Sequence, residues 1–353
     1  MSKFEELKVV DVRRETSNAV SLSLAAPDLE EWRFEPGQYL TLRADIDGQD
    51  VRRPYSICAG VDEGVLRVGI KKVPGGLFST FACEQIAVGH TLQVMPPQGK
   101  FSWSVAEAEG VHHVGFAAGS GITPILSIAK SVLSRRPDDR FTLFYGNKMT
   151  GEVMFLEELA DLKDQFMERL RVVHLFSRET TDVELLQGRL DGAKVKELAQ
   201  QGYFRPESLD VAYICGPGDM IDAVEAGLVE LGVPAEHIRA ERFTSAPGAE
   251  KTQARRDSED ENRMVEAILD GTHRMLTVLP EEDVVSAATR QGVEVPYSCV
   301  GGMCCTCRCR VVEGEVDMAV NYSLEPWELE AGFVLACQSR PKTERVVLDF
   351  DAQ

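Results

Sequence analysis

Five of the nine cysteines, Cys299, Cys304, Cys305, Cys307 and Cys309, fall within eleven residues, while Cys58, Cys83, Cys215 and Cys337 are scattered. Such crowding suits metal binding better than disulfide bonding. Cys299-x4-Cys304-x2-Cys307, followed after 29 intervening residues by Cys337, has the spacing at which four thiolates surround a [2Fe-2S] cluster. A loop carrying three ligands must wrap the sulfides closely, and Gly301 and Gly302 supply small residues between the first two. Backbone amides turned inward would then hydrogen-bond the sulfurs and tune the potential. A competing frame built on Cys304 and Cys309 would need a third cysteine where Val312 stands, so only the frame from Cys299 closes. Cys305 and Cys309 then read as small, semi-buried side chains. Structural zinc is the alternative occupant, although it favours two CxxC pairs.

Further residues suit nucleotides. Arg53-Pro54-Tyr55-Ser56 follows a turn containing Pro36-Gly37-Gln38-Tyr39. A guanidinium beside a phenol fits FAD, the first pairing with pyrophosphate and the second stacking on isoalloxazine. Gly75-Gly76-Leu77-Phe78-Ser79 then opens a helix whose first amides are free for a phosphate. Taken singly, Gly75-Gly76 reads equally as an ordinary turn and Tyr55 as a core aromatic. Gly119-Ser120-Gly121-Ile122-Thr123-Pro124 lies between a strand and a helix, where a doubly wound sheet binds a nucleotide, and Cys215-Gly216-Pro217-Gly218-Asp219 repeats that position. Ser177, Arg178 and Arg189 bring a hydroxyl and two cations to where the adenosine ribose should lie, which suits a 2′-phosphate and hence NADPH. The alternative pairs Arg178 with Glu179 and Arg189 with Asp191 at the surface. His90, His112, His113, His174, His237 and His273 show no metal spacing, and no hydrolytic triad stands out.

These residues need three kinds of scaffold. Up to about Met95 the chain runs in short alternating segments such as 20–24 and 66–70, separated by Gly, Pro and Asp turns, which reads as an antiparallel β-barrel. From about Val111 apolar strands (113–117, 141–145, 172–176, 211–215) alternate with helices (122–134, 155–162, 193–200, 220–231), the pattern of a doubly wound parallel sheet. Residues 244–262 carry many charges and no large apolar residue, and read as a flexible linker. A third domain then begins with a strand at 274–279 and a helix at 284–290. The expected boundaries are 1–106, 107–243, 244–262 and 263–353. A net charge of −19 argues against nucleic acid as a partner. The charged N-terminus lacks a signal-peptide pattern, and the least polar stretch, 115–129, is broken by Gly119, Gly121 and Pro124, so the expectation is a cytoplasmic protein without a membrane span.

The segments PYSCVGGMCCTCRCRVVEGEVDM and GFVLACQSRP resemble a plant-type ferredoxin domain, which implies an α+β (β-grasp) fold over 263–353. Cys305 departs from the Gly or Ala usual there. RPYS, GGLFS, GSGITP and CGP together resemble the ferredoxin-NADP reductase family, with Ser120 in place of the usual Thr. By that resemblance Glu241 and Phe243 return to the flavin and border the nicotinamide site with Ser56 and Cys215; Ser56, Cys215 and Glu241 would position nicotinamide C4 near flavin N5. The whole chain is similar to the reductase subunits of phenylacetyl-CoA epoxidase systems, a resemblance strengthened by Asn321-Tyr322-Ser323-Leu324-Glu325. It implies electron transport from NADPH through FAD and [2Fe-2S] to a diiron oxygenase component. The reductase of a Rieske-type ring hydroxylase, such as 3-ketosteroid 9-alpha-hydroxylase, is the runner-up, and an iron-sulfur redox sensor is the alternative of another class.

Overall fold

In the computed structural model, the described residues are 4–26, 28, 30–101, 110–243 and 262–352. The expected boundary at 106/107 and nearly all of the expected linker lie outside them. Contacts divide the chain into two units, Phe4–Phe243 and, apart from Met1–Lys3, Thr244–Gln353.

The first unit opens with antiparallel strands β1 (Glu5–Thr16), β2 (Ala19–Ala25), β3 (Tyr39–Ile46), β4 (Gln49–Ser56), β5 (Leu66–Lys71) and β6 (Thr91–Val94), in the order β4-β3-β6-β1-β2-β5. A bridge between Ile57 and Val68 joins the two edges, so the sheet closes into a barrel. The β3–β4 hairpin turns on Asp47 and Gly48, both at positive φ, the backbone that a two-residue turn needs to match strand twist. Leu22, Leu40, Leu42, Val68 and Ile70 fill the interior. Helix α1 (Leu77–Glu84) lies against the barrel through Phe78 and Ala82.

A parallel sheet follows, made of β7 (His112–Ala118), β8 (Arg140–Asn147), β9 (Leu170–Phe176), β10 (Val211–Gly216) and β11 (Ile238–Arg242). Its order β11-β10-β7-β8-β9 reverses direction between β7 and β10, which places the switch-point crevice at the carboxyl ends of those two strands. Helices α2 (Ile122–Arg135), α3 (Leu156–Gln165), α4 (Gly192–Gln200) and α5 (Gly218–Glu230) cover the sheet. Residues 122–133 of α2 are all buried, because the helix packs on the sheet and also meets the barrel. The α3 helix starts one residue later than its apolar pattern suggests: Phe155 is left-handed (φ 59°) and buried.

The second unit is a mixed sheet, β13-β12-β18-β14-β16, built from β12 (Arg263–Leu269), β13 (Thr272–Val278), β14 (Arg308–Glu313), β16 (Phe333–Leu335) and β18 (Arg345–Asp349), beside a small pair β15 (Val316–Met318) and β17 (Ser339–Pro341). Helix α6 (Val284–Arg290) is capped by Asp283, which accepts the Ser286 N–H at 2.9 Å, and α7 (Pro326–Glu330) by a reciprocal Glu325–Glu328 box. Strand β12 is absent from the sequence-based expectations, which contain only its partner β13. Its signal is nevertheless present: Asp270-Gly271, both at positive φ, turns the two strands into a hairpin. Among the described residues no helix is long and apolar enough to cross a membrane.

Candidate functional site

Strand β4 carries Arg53, Pro54, Tyr55 and Ser56 in register with β3, Tyr55 opposite Leu40 and Ser56 opposite Tyr39. Arg53 is exposed, and its Nη1 donates to the adjacent Arg52 carbonyl at 2.7 Å. The Tyr55 ring is half-buried, 5.5 Å from the Phe78 ring, and burial drives its phenol well above the usual range, so it stays neutral. Phe78 anchors α1, whose N-cap is Gly76. The first bond back to that cap comes from the Thr80 N–H, leaving the Leu77, Phe78 and Ser79 amides at the helix entrance. A Cβ on Gly76 would lie 2.4 Å from Val73 Cγ2 and 2.5 Å from Ser79 Oγ, so any larger residue here would have to push those two side chains aside.

At the switch point the end of β7 turns through Gly119–Gly121 into α2. Gly119 is left-handed, and its carbonyl accepts the Tyr145 hydroxyl at 2.9 Å. A Cβ on Gly121 would stand 2.0 Å from the Cys215 carbonyl oxygen, so only glycine lets this turn press on the end of β10. Thr123 Oγ1 donates to the Ser120 carbonyl at 3.0 Å, and Pro124 is buried in the first turn of α2. On β10, Cys215 is fully buried and aligned with Glu241 of β11; Gly216 follows, then Pro217 as the N-cap of α5.

Ser56, Cys215 and Glu241 come together here from three strands. Ser56 Oγ donates to Glu241 Oε2 at 3.1 Å across 185 residues of chain. Burial pushes the Glu241 carboxyl up to about 8, opposed by the Ser56 hydrogen bond, and burial followed by Glu241 itself pushes the Cys215 thiol well up. Phe243 lies just beyond β11, about one-third exposed.

Ser177 and Arg178 are exposed after β9 and tied to β8 by backbone bonds to Asn147 and Lys148. Arg178 does not pair with Glu179: that carboxylate accepts the Thr150 N–H and hydroxyl at 2.6 and 2.8 Å. Arg189 pairs loosely with Asp219 at 3.5 Å rather than with Asp191, which caps α4 instead.

In the second unit the cysteine loop gathers its sulfurs in two pairs, Cys299 with Cys304 and Cys307 with Cys337. Among the described residues no three metal-binding side chains converge on one point. Two pairs of thiols match the needs of two bridged irons. The Gly301 and Met303 amides donate to Cys299 Sγ at 3.3 and 3.4 Å, and the Cys299 amide donates to Cys304 Sγ at 3.4 Å. Cys304 and then these amides hold the Cys299 thiol down to about 6, while sharing with their partners pushes Cys304 and Cys307 well up. Val300, Gly302 and Cys305 all have positive φ, which accounts for the usual small residue at position 305. Cys305 Sγ points to the Ser323 carbonyl, and Cys309 is fully buried in the core. Gln338, which the sequence offers only as part of the GFVLACQ segment and without a role, spans the loop from the Val300 carbonyl to Cys337 Sγ (3.0 and 3.7 Å); its place next to the fourth cysteine is the available signal.

A closed barrel with a flavin-type strand, a switch-point crevice and a four-thiol loop define a flavin- and iron-sulfur-dependent reductase. The chain matches the family models of an oxidoreductase FAD-binding domain (residues 6–103), an oxidoreductase NAD-binding domain (116–226) and a 2Fe-2S iron-sulfur cluster binding domain (267–342). It belongs to the family of three-domain oxygenase reductases, in which one relative is a component of the 1,2-phenylacetyl-CoA epoxidase of Escherichia coli (strain K12). The two are 45% identical over 100% of this chain and 99% of that protein. It is 34% identical to the ferredoxin reductase component of 3-ketosteroid-9-alpha-monooxygenase from Rhodococcus rhodochrous, covering 98% of this chain and 96% of that one. Among solved structures, phthalate dioxygenase reductase shares the fold across 98% of both chains at a TM-score of 0.61 and 22% identity.

Proposed function

We propose that this reductase takes hydride from NADPH and delivers electrons to a diiron oxygenase of the phenylacetyl-CoA epoxidase type, working in the cytoplasm, where thiols stay reduced. The 45% identity along the entire chain supports that choice of oxygenase. The 34% identity to a 3-ketosteroid-9-alpha-monooxygenase reductase component favours a Rieske-type ring hydroxylase as the second reading. A sensor would have no use for the hydride path.

When bound, FAD converts a two-electron hydride into single electrons and the [2Fe-2S] cluster carries them one at a time. Arg53 would pair with the flavin pyrophosphate, the Leu77, Phe78 and Ser79 amides that follow the Gly76 cap would take its phosphate charge, and Tyr55 would cover the ring. The Gly119–Gly121 turn, Ser120, Thr123 and Pro124 seat the coenzyme pyrophosphate; Cys215, Gly216 and Pro217 back the nicotinamide; and Ser177, Arg178 and Arg189 hold the 2′-phosphate. Ser56, Cys215 and Glu241 hold the nicotinamide in line and exclude water, with Phe243 at the rim. Cys299, Cys304, Cys307 and Cys337 hold the cluster.

The decisive test reconstitutes the holoprotein with purified phenylacetyl-CoA epoxidase oxygenase subunits and measures NADPH-dependent epoxide formation. Product with that oxygenase and none with a ketosteroid hydroxylase is expected; the reverse outcome selects the second reading. Arg178→Ala should raise KM for NADPH about tenfold, since charge-assisted phosphate bonds carry roughly 1.5–3 kcal/mol, and leave KM for NADH nearly unchanged.

A further inference from the structure

Helix α2 begins at the Gly119–Gly121 turn, and the face it turns to the barrel bonds one short segment. Ser127 Oγ donates to the Ala59 carbonyl at 2.7 Å, Ser131 Oγ accepts the Val61 N–H at 3.1 Å, and Lys130 Nζ meets Glu63 at 2.7 Å. Ser134 and Arg135 both reach Asp62, Arg135 at 2.6 Å. Residues 59–63 directly follow Ser56-Ile57-Cys58, the end of the flavin strand. At its other end α2 rests on the Cys215 carbonyl through Gly121, and Thr123 Cγ2 would stand 2.6 Å from a Cβ on Gly69 of β5. One helix thus spans from Ser56's strand to the coenzyme turn.

The centre of this contact is a charge network. Lys130 is only 7% exposed and pairs with Glu158 of α3 as well as Glu63; Arg67 of β5 joins Glu158 at 2.5 Å and Glu63 at 3.5 Å. Arg67 Nε and Glu158 Oε2 are buried without hydrogen-bond partners among the described residues. Apolar side chains of similar volume would stabilise such a contact as well or better. Its ion pairs supply direction, which an apolar contact lacks.

We propose that Lys130 and Glu158 are positioning residues for hydride transfer, fixing α2 against the barrel so that coenzyme seated on Gly119–Gly121 meets the flavin at Ser56. The inference rests on the proposed seating of nicotinamide by Ser56, Cys215 and Glu241. Misplacement of reacting groups by about 1 Å costs on the order of a hundredfold in rate, so partial loosening matters.

The test is the holoprotein carrying Lys130→Met together with Glu158→Leu, followed by stopped-flow flavin reduction at saturating NADPH. The expected result is a rate about tenfold lower, KM for NADPH within twofold, unchanged FAD and iron content, a weakened flavin–nicotinamide charge-transfer absorbance, and thermal stability equal to or above wild type. Lys130→Arg, which keeps the ion pair, should retain the rate. A wild-type reduction rate in the double variant overturns the proposal, as does a slowed rate that merely tracks lost stability. Should the double variant fail to fold, Ser127→Ala, which deletes only the bond to Ala59, must slow reduction two- to threefold or the proposal falls. Failure of the underlying seating is separately visible: Glu241→Gln would then leave flavin reduction untouched at every pH.

Discussion

Glu241 holds its proton to about pH 8 because burial disfavours the carboxylate more than the Ser56 hydroxyl favours it. Unfolded, the group titrates near its ordinary 4.5, so the folded state carries the extra proton between about 4.5 and 8. Its burial penalty is therefore absent below that window and grows as pH rises, reaching its full size above 8. A nicotinamide ring becomes cationic as hydride leaves, and a carboxylate beside it favours that change. Flavin reduction should accordingly speed up through a single titration near pH 8, and Glu241→Gln should flatten the profile; a profile unchanged by that substitution would remove Glu241 from the site. Val300 poses a different question, since a β-branched residue at φ 54° is strained. Its backbone carbonyl alone serves Gln338, so Val300→Gly should keep the cluster and stabilise the second unit by about 1 kcal/mol, read by thermal unfolding of the holoprotein.

Elements meet where α2 crosses from the sheet to the barrel. Burial pushes the Glu158 carboxyl up, and Lys130 and Arg67 more than offset it, so it titrates below its ordinary 4.5. A depressed carboxylate contributes stability that is present above about 4.5 and lost as pH falls through the lower folded value, so this contact should hold through mild acid and loosen only below the ordinary carboxylate range. Removing one partner differs from removing the pair. Lys130→Met alone leaves the Glu63 and Glu158 carboxylates to share Arg67 and should cost about 3 kcal/mol in denaturant unfolding, whereas the double replacement, which leaves Arg67 with Glu63, should cost little. Equal losses from single and double variants would show that packing, not charge, holds α2 there.

Across the whole molecule the two units divide the labour, one carrying both nucleotide sites and the other the thiols. Cys304→Ser takes one sulfur from a pair and should abolish the cluster's absorbance while FAD stays bound. NADPH-ferricyanide activity, which needs only the flavin, should survive within about twofold, and transfer to the oxygenase should disappear; retention of iron and labile sulfide would sink the ligand assignment.

Local chemistry was legible in the chain because it depends on neighbours in sequence. The thiol spacing, the glycine turns and the alternation of strands with helices each follow from short-range geometry, and the architecture of barrel, doubly wound sheet and mixed sheet agrees with them. The family resemblance, not spacing, pointed to Glu241. Tertiary structure alone decided which distant residues share an environment: Ser56 meets Glu241 across 185 residues, Lys130 meets Glu63 and Glu158 on different elements, and Arg178 stays clear of the adjacent Glu179. Burial and pairing belong to the packed whole, so the raised Glu241 carboxyl and the lowered Glu158 carboxyl emerge only after strands and helices have closed over them.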